Sequence, residues 1–263
     1  MDEEGKNLVL RDSIYTPKRA TWFKRILAFG LDIILFAVLL TGAMFLISYI
    51  VGFQHELELL NAKFIEYGIY LKNDEGIYEF CSDINGSTAC KDAWEAFNND
   101  ALACSYYDNT ALKTLPILIG GVFVTELILD YIIPMCLKNG RTIGMFCLGL
   151  AYIDTRDIKI NHFQVFTHFL FGKFIVVSAL PIFFFLMHFF NVFPTYGLLI
   201  CVVIILANLI MKFASPKRMG IADSIGKMYM IENESQIYCN TVEELSALKA
   251  IEALEKAKQK KTY

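Results

Sequence analysis

The stretch ILAFGLDIILFAVLLTGAMFLISYIVGF, residues 26–53, decides how this chain is read. A helix of about 20 largely apolar residues crosses the hydrocarbon core of a bilayer, and this run exceeds that length. One charged side chain, Asp32, interrupts it, and Arg25 stands immediately before it. A carboxylate at membrane depth is costly and marks a functional site by default. Arg25 and Asp32 are seven residues apart, two helical turns, so they share one face about 10 Å apart along the axis. A charged stripe of that kind turns toward protein or water and away from lipid.

Three further stretches pass the same length test, at about 114–137, 165–190 and 195–213. Spans must satisfy their own backbone hydrogen bonds, and the alternation of barrel strands is absent, so all four are expected as helices. The fold class is therefore an all-α membrane protein, a bundle of four transmembrane helices. The chain is 56% hydrophobic and 19% charged, which fits a multi-pass membrane protein and excludes an ordinary soluble enzyme. A net charge of −3 offers no basic surface for nucleic acid. The first apolar run is too long for the core of a signal peptide and reads as an uncleaved span.

Basic residues set the expected orientation. Lys6, Arg11, Lys18, Arg19, Lys24 and Arg25 form a basic arm over residues 1–25. Lys138, Arg141, Arg156 and Lys159 lie between the second and third spans, and Lys212, Lys217 and Arg218 follow the fourth. The short turn at 191–194 has no Lys or Arg. The positive-inside rule then puts both termini in the cytoplasm of a cell whose inner membrane holds the protein. The segment 54–111 falls outside, with eleven acids against three lysines. Residues 54–72 are expected to extend the first span as a helix. The remainder reads as loop, with a short helix near Trp94 to Leu102. Asn85-Gly86-Ser87 is a formal glycosylation sequon. Cys81, Cys90 and Cys104 permit one disulfide there, in any of three pairings. The cytoplasmic tail, 232–263, carries an amphipathic helix over about 241–261, opened by a Thr241/Glu244 capping box. The bundle proper occupies 26–231.

Glu126 and Asp130 in the second span are four residues apart and share a helical face. Counting about 1.5 Å per residue from the cytoplasmic ends places Asp32 and Asp130 at one depth, about 10 Å below the surface. His168 and Lys173 of the third span reach the same layer. One reading makes Asp32 the central ligand or proton carrier of a hydrated pocket, with Asp130 and Glu126 sharing the site and Arg25 and Lys173 tuning their charge. The other makes the same residues structural ion pairs that hold the bundle together. Three acids against one deep Lys leave surplus negative charge, which a proton or a cation would balance. His162, His168 and His188 lack Cys or acids at metal-ligand spacing, so no metal site is expected. Pro134 and Pro181 are expected to kink their spans. The motifs HExxH, GxSxG and the phosphate-binding P-loop are absent, and no enzymatic activity or cofactor is expected.

Three short segments carry a family resemblance. They are Trp22 to Asp32 (WFKRILAFGLD), Asn139 to Met145 (NGRTIGM) running on to Gly149-Leu150-Ala151-Tyr152-Ile153-Asp154, and Lys217 to Lys227 (KRMGIADSIGK). Together they resemble the RDD family of multispanning membrane proteins, named for an Arg and two Asp. The resemblance covers about 20–231 apart from most of 54–111, and by position Arg25, Asp32 and Asp223 would be the trio. Met145 stands where the family often has a Lys. The resemblance implies a small bundle for which transport is the usual suggestion, with some relatives described as sodium–proton antiporters. Asp223, about ten residues beyond the fourth span, would lie at the cytoplasmic surface and dock the tail through Arg25 or Arg141. Gly140 to Gly149 is expected as an interfacial segment leading into a strand-like piece at Ala151 to Asp154. Transport would draw on the lipid bilayer, monovalent cations and protons as partners, and four helices make so thin a path that a homo-oligomer is expected. The alternative is a non-transporting scaffold or accessory subunit acting through its outer segment or its tail helix.

Overall fold

The computed structural model describes residues 17–72, 78–81, 88–137, 139–189, 196–233 and 238–260. Lys6, Arg11, the Asn85 sequon, Lys138 and the turn at 191–194 lie outside them. Four helices are long and apolar enough to cross a membrane. These are α1 (Trp22–Ile50), α4 (Ala101–Cys136), α6 (His162–Leu186, its helix running on to Phe189) and α7 (Tyr196–Ala214). Each begins within a few residues of its expected boundary except α4, which starts about four turns early.

Two compact units divide the chain, one of residues 1–40 and 122–263, the other of 41–121. In the second unit, α1 does not continue into the outer segment as expected. Gly52 adopts φ 65°, a left-handed conformation open to glycine, and ends the helical path. A separate helix, α2 (Phe53–Glu66), follows. A two-stranded antiparallel sheet then pairs β1 (Tyr70–Lys72) with β2 (Tyr78–Phe80), and α3 (Thr88–Asn99) leads to α4. Much of the segment read as loop is therefore folded. Phe64 organises its core, with Phe97, Tyr70, Phe80 and Trp94 rings at 5.2, 5.3, 5.7 and 5.8 Å. Such pairs add about 0.5–1.5 kcal/mol each beyond the apolar area they bury. Leu60, Ile69 and Ala103 complete that core. Cys81 and Cys90 form a disulfide, and Cys104 is a free thiol.

The first unit adds an element that a reading of all-α structure leaves out. Strand β3 (Leu150–Asp154) pairs antiparallel with β4 (Met228–Glu232), with Tyr152 opposite Met230. Short helices precede each strand, α5 (Ile143–Cys147) before β3 and α8 (Ile221–Ile225) before β4. Leu150, Ala151, Ile153, Met228 and Ile231 are buried, and Arg19 adds a bridge to Ile231. Asp154, only 1% exposed, closes the end of the sheet. Burial opposes its ionisation, but bonds from the Arg156 side chain and backbone and from Gln164 outweigh this and hold its carboxyl below the usual range. The tail helix α9 (Val242–Lys260) opens with Thr241 Oγ1 accepting from the Glu244 amide at 3.1 Å.

The spans carry π-helical segments at Leu127–Ile132 in α4 and His168–Ala179 in α6. Each ends two residues before a proline, Pro134 and Pro181. Proline cannot donate to the carbonyl four residues back and its ring crowds that carbonyl. A wider register just ahead of the ring relieves both problems. At both prolines expected to kink their spans the chain thus has a π segment, a helix variant found at functional sites.

Candidate functional site

The three polar side chains of α6 that matter are His168, Lys173 and Ser178, five residues apart in sequence. In an α-helix the neighbours on one face are three and four apart. A π-helix bonds residue i to i+5 and its turn is wider than that of an α-helix, so residues five apart fall close to one face. The π segment thus turns three scattered positions into a column. Each member meets an acid. Ser178 Oγ donates to Glu126 Oε1 at 2.5 Å. The Lys173 ammonium pairs with Asp130 Oδ1. His168 Nε2 lies 3.1 Å from Asp223 Oδ1.

The two upper rungs face the π turn of α4. Glu126 is 5% exposed and Asp130 8%, so both are taken out of solvent. Glu126 Oε2 is buried and has no hydrogen-bond partner among the described residues. Lys173 interacts electrostatically with Asp130, Glu126 and Asp32 together. Asp130 takes the ammonium directly, and Glu126 beside it keeps one carboxylate oxygen unbonded. No group of three or more His, Cys, Asp and Glu that could hold a metal ion converges among the described residues.

The lowest rung depends on close packing. A Cβ on Gly172 would fall 2.6 Å from Ala222 Cα, and one on Gly226 would fall 2.8 Å from His168 Cβ. Glycine at both positions lets α8 lie directly on α6, which delivers Asp223 to His168. Asp223 Oδ2 also accepts from the Gly220 amide at 2.9 Å. Burial works against the charge of Asp223, but the bond and charge of His168, the Gly220 amide and Lys212 more than offset it and hold its carboxyl at about 2. The expected docking of Asp223 through Arg25 or Arg141 is corrected by this pair.

Asp32 is placed differently from the expectation of a central ligand. Its Oδ2 accepts from Thr142 Oγ1 at 2.6 Å and its Oδ1 from the Gly144 amide at 2.8 Å. Thr142 is the N-cap of α5 and also accepts from the Met145 amide at 3.3 Å. Asp32 thus clasps the start of α5. The fit needs glycine, because a Cβ on Gly144 would overlap the Ala28 carbonyl and lie 2.9 Å from Asp32 Oδ1. Arg25 does not donate to Asp32. It donates to the carbonyls of Arg218 at 2.9 Å and Met230 at 2.8 Å, tying α1 to the segment that leads into β4. Arg141 donates to the Leu137 carbonyl at 3.2 Å and lies over the Phe146 ring.

A model described as the RDD family matches residues 19–227. The chain belongs to the RDD family. No curated protein and no solved structure matches it. The match includes the three segments that carry Arg25, Asp32 and Asp223, and it identifies this RDD protein as a membrane protein of four candidate spans. Ser178, Thr142 and Gly144 escape a reading of the sequence alone. The five-residue spacing of His168, Lys173 and Ser178 was the available signal, but it has meaning only once the helix is known to be π.

Proposed function

We propose that this RDD protein exchanges protons for monovalent cations across a cell membrane. The observation that carries the reading is the buried Glu126 carboxylate, whose second oxygen lacks a partner beside the Asp130–Lys173 pair. An isolated buried carboxylate is expensive. Two carboxylates against one ammonium leave a surplus of one negative charge, which a proton or a single monovalent cation neutralises. Either occupant satisfies Glu126 Oε2, so the two compete for the same place, and competition of that kind is the basis of antiport. Ser178 orients Glu126, and Lys173 pairs with Asp130, which leaves the surplus charge at Glu126. Divalent ions ask for six or more oxygens in calcium sites, or for near-octahedral geometry in magnesium sites, beyond what two carboxylates and a hydroxyl supply. The basic residues around the start of α1 and the end of α7 support, by the positive-inside rule, an orientation with both termini in the cytoplasm. Four spans enclose little volume, and a homo-oligomer provides the rest of the path.

Purified protein in vesicles with a trapped pH dye tests this. Added Na⁺ or K⁺ is expected to change the internal pH, and Glu126→Gln is expected to abolish the response while the protein unfolds at the same temperature as the parent. An undiminished response in folded E126Q, or no response to either ion from the folded parent, overturns the proposal.

A further inference from the structure

The end of the bundle where α1 begins and α7 ends carries cations that rest on aromatic rings instead of carboxylates. Trp22, the first residue of α1, stacks on Phe213 with centroids 4.8 Å apart. The Arg218 guanidinium lies over the Trp22 ring, 5.2 Å from its centroid. The Lys212 ammonium lies 5.9 Å from the Phe29 ring. Among the described residues, no carboxylate forms an ion pair with Lys212 or Arg218. The two acids nearby are already engaged. Glu232 pairs with Lys18 at 3.1 Å and Lys24 at 3.6 Å. Asp223 is held by His168 and the Gly220 amide. Arg218 is fixed in place, with its amide donating to the Ser215 carbonyl and its carbonyl accepting from Arg25. Its φ of 54° is a conformation that non-glycine residues adopt only when surroundings hold them.

We propose that this corner seats the headgroup of an anionic phospholipid. Tryptophan concentrates at the membrane–water interface, where its ring is half in lipid and half in the headgroups. Long cationic side chains reach from helix ends to the same level. A ring face favours a nearby cation but carries no net charge, so neither ring neutralises Lys212 or Arg218. Phe213 and Phe29 present apolar surface to the acyl chains below. The phosphate is taken up at Arg218 with the glycerol backbone along Trp22, and Lys212, over Phe29 on the same helix as Trp22, adds its charge. This site is separate from the Glu126 rung and does not depend on transport.

The chain has two tryptophans, and Trp94 packs in the aromatic core of the 41–121 unit. A Trp94→Phe background therefore leaves Trp22 as the reporter, in full-length protein reconstituted in phosphatidylcholine vesicles. Brominated phosphatidylglycerol is expected to quench Trp22 at lower mole fraction than brominated phosphatidylcholine. Each cation near an anionic surface contributes roughly fivefold, so the preference is expected to be about 25-fold. Lys212→Gln with Arg218→Gln is expected to erase it, and Lys212→Gln alone to reduce it about fivefold. The single variant serves if the double variant does not fold. Equal quenching by the two lipids overturns the proposal. So does a preference that survives both substitutions, or one removed by millimolar inorganic phosphate, which would mark a general anion site.

Discussion

Replacing Lys173 with Met tests the central rung most directly. In the parent, its ammonium faces Asp130 and interacts with Glu126. The substitution keeps the stem length and removes the only cation paired with these acids among the described residues. Breaking one side of a buried pair costs about 3–5 kcal/mol, because the partner charge is left uncompensated. The Lys173 side chain keeps 36% of its exposure while that of Asp130 keeps 9%, so the lower end of that range, about 3 kcal/mol, is expected. Asp130→Asn alone should cost less, since Lys173 retains Glu126 as an electrostatic partner. The double variant, with neither charge, should recover most of the loss, as isosteric replacement of buried pairs often does. Thermal unfolding in detergent of the four proteins closes the cycle. The expected coupling energy is about 2 kcal/mol, well above the value for an exposed pair. A coupling below about 0.5 kcal/mol would show that the two charges do not compensate one another, and the argument from surplus charge would fall with it.

Two further predictions concern the clasps around the site. Gly144→Ala should destabilise by about 3 kcal/mol or more, since its Cβ meets the Ala28 backbone and Asp32 and neither can yield cheaply. Gly30→Ala, where nothing lies within 4 Å, should be neutral or gain about 0.5 kcal/mol, and denaturation of the two variants side by side checks the contrast. Asp223 titrates lower in the folded protein, at about 2, than its usual 3.8. Because the folded value is depressed, its contribution is complete above pH 4 to 5 and is lost as pH falls toward 2, and it amounts to about 2 kcal/mol. Asp223→Asn should therefore flatten the acid limb of stability between pH 5 and 2.5, and an acid limb unchanged in that variant would refute the assignment.

The four spans were legible because length and hydropathy alone govern whether a helix crosses lipid, and neither depends on tertiary contacts. That Asp130 and Lys173 lie at similar depths was expected for a related reason, since depth along a span is a matter of counting residues. Partners across the bundle were not legible. Helical phase decides which residue of α6 meets which residue of α4, and α-helical phase places His168, Lys173 and Ser178 on different faces. The π register depends on Pro134 and Pro181 together with the packing around them. The break at Gly52 was visible only as a glycine inside a helical pattern, and the outer fold around Phe64 depends on contacts between residues far apart in sequence, such as Phe64 with Phe97 and Glu56 with Lys113. The sheet of β3 and β4 joins strands more than 70 residues apart, and only the β3 half shows as a local pattern.

The trio that names the family and the polar column of α6 divide the work between them. Arg25 satisfies two backbone carbonyls, Asp32 a backbone amide at Gly144, and Asp223 a backbone amide at Gly220. All three thus bond to main chain in β4 or in the short segments that flank the β3–β4 sheet. Those segments end helices or begin them, where amides and carbonyls lack partners within their own helix. Close to a bilayer such groups find less water, and a charged side chain makes the stronger bond. Asp223 alone belongs to both sets, since its second oxygen meets His168. The upper rungs, with Glu126, Asp130, Lys173 and Ser178, bond side chain to side chain and carry the unbalanced charge. A carboxylate committed to a fixed amide gains little by exchanging that partner for an ion. A carboxylate with a free oxygen beside a shared ammonium can make the exchange without unfolding anything, which is why the centre of the proposed site lies at Glu126 and Asp130 and not at Asp32.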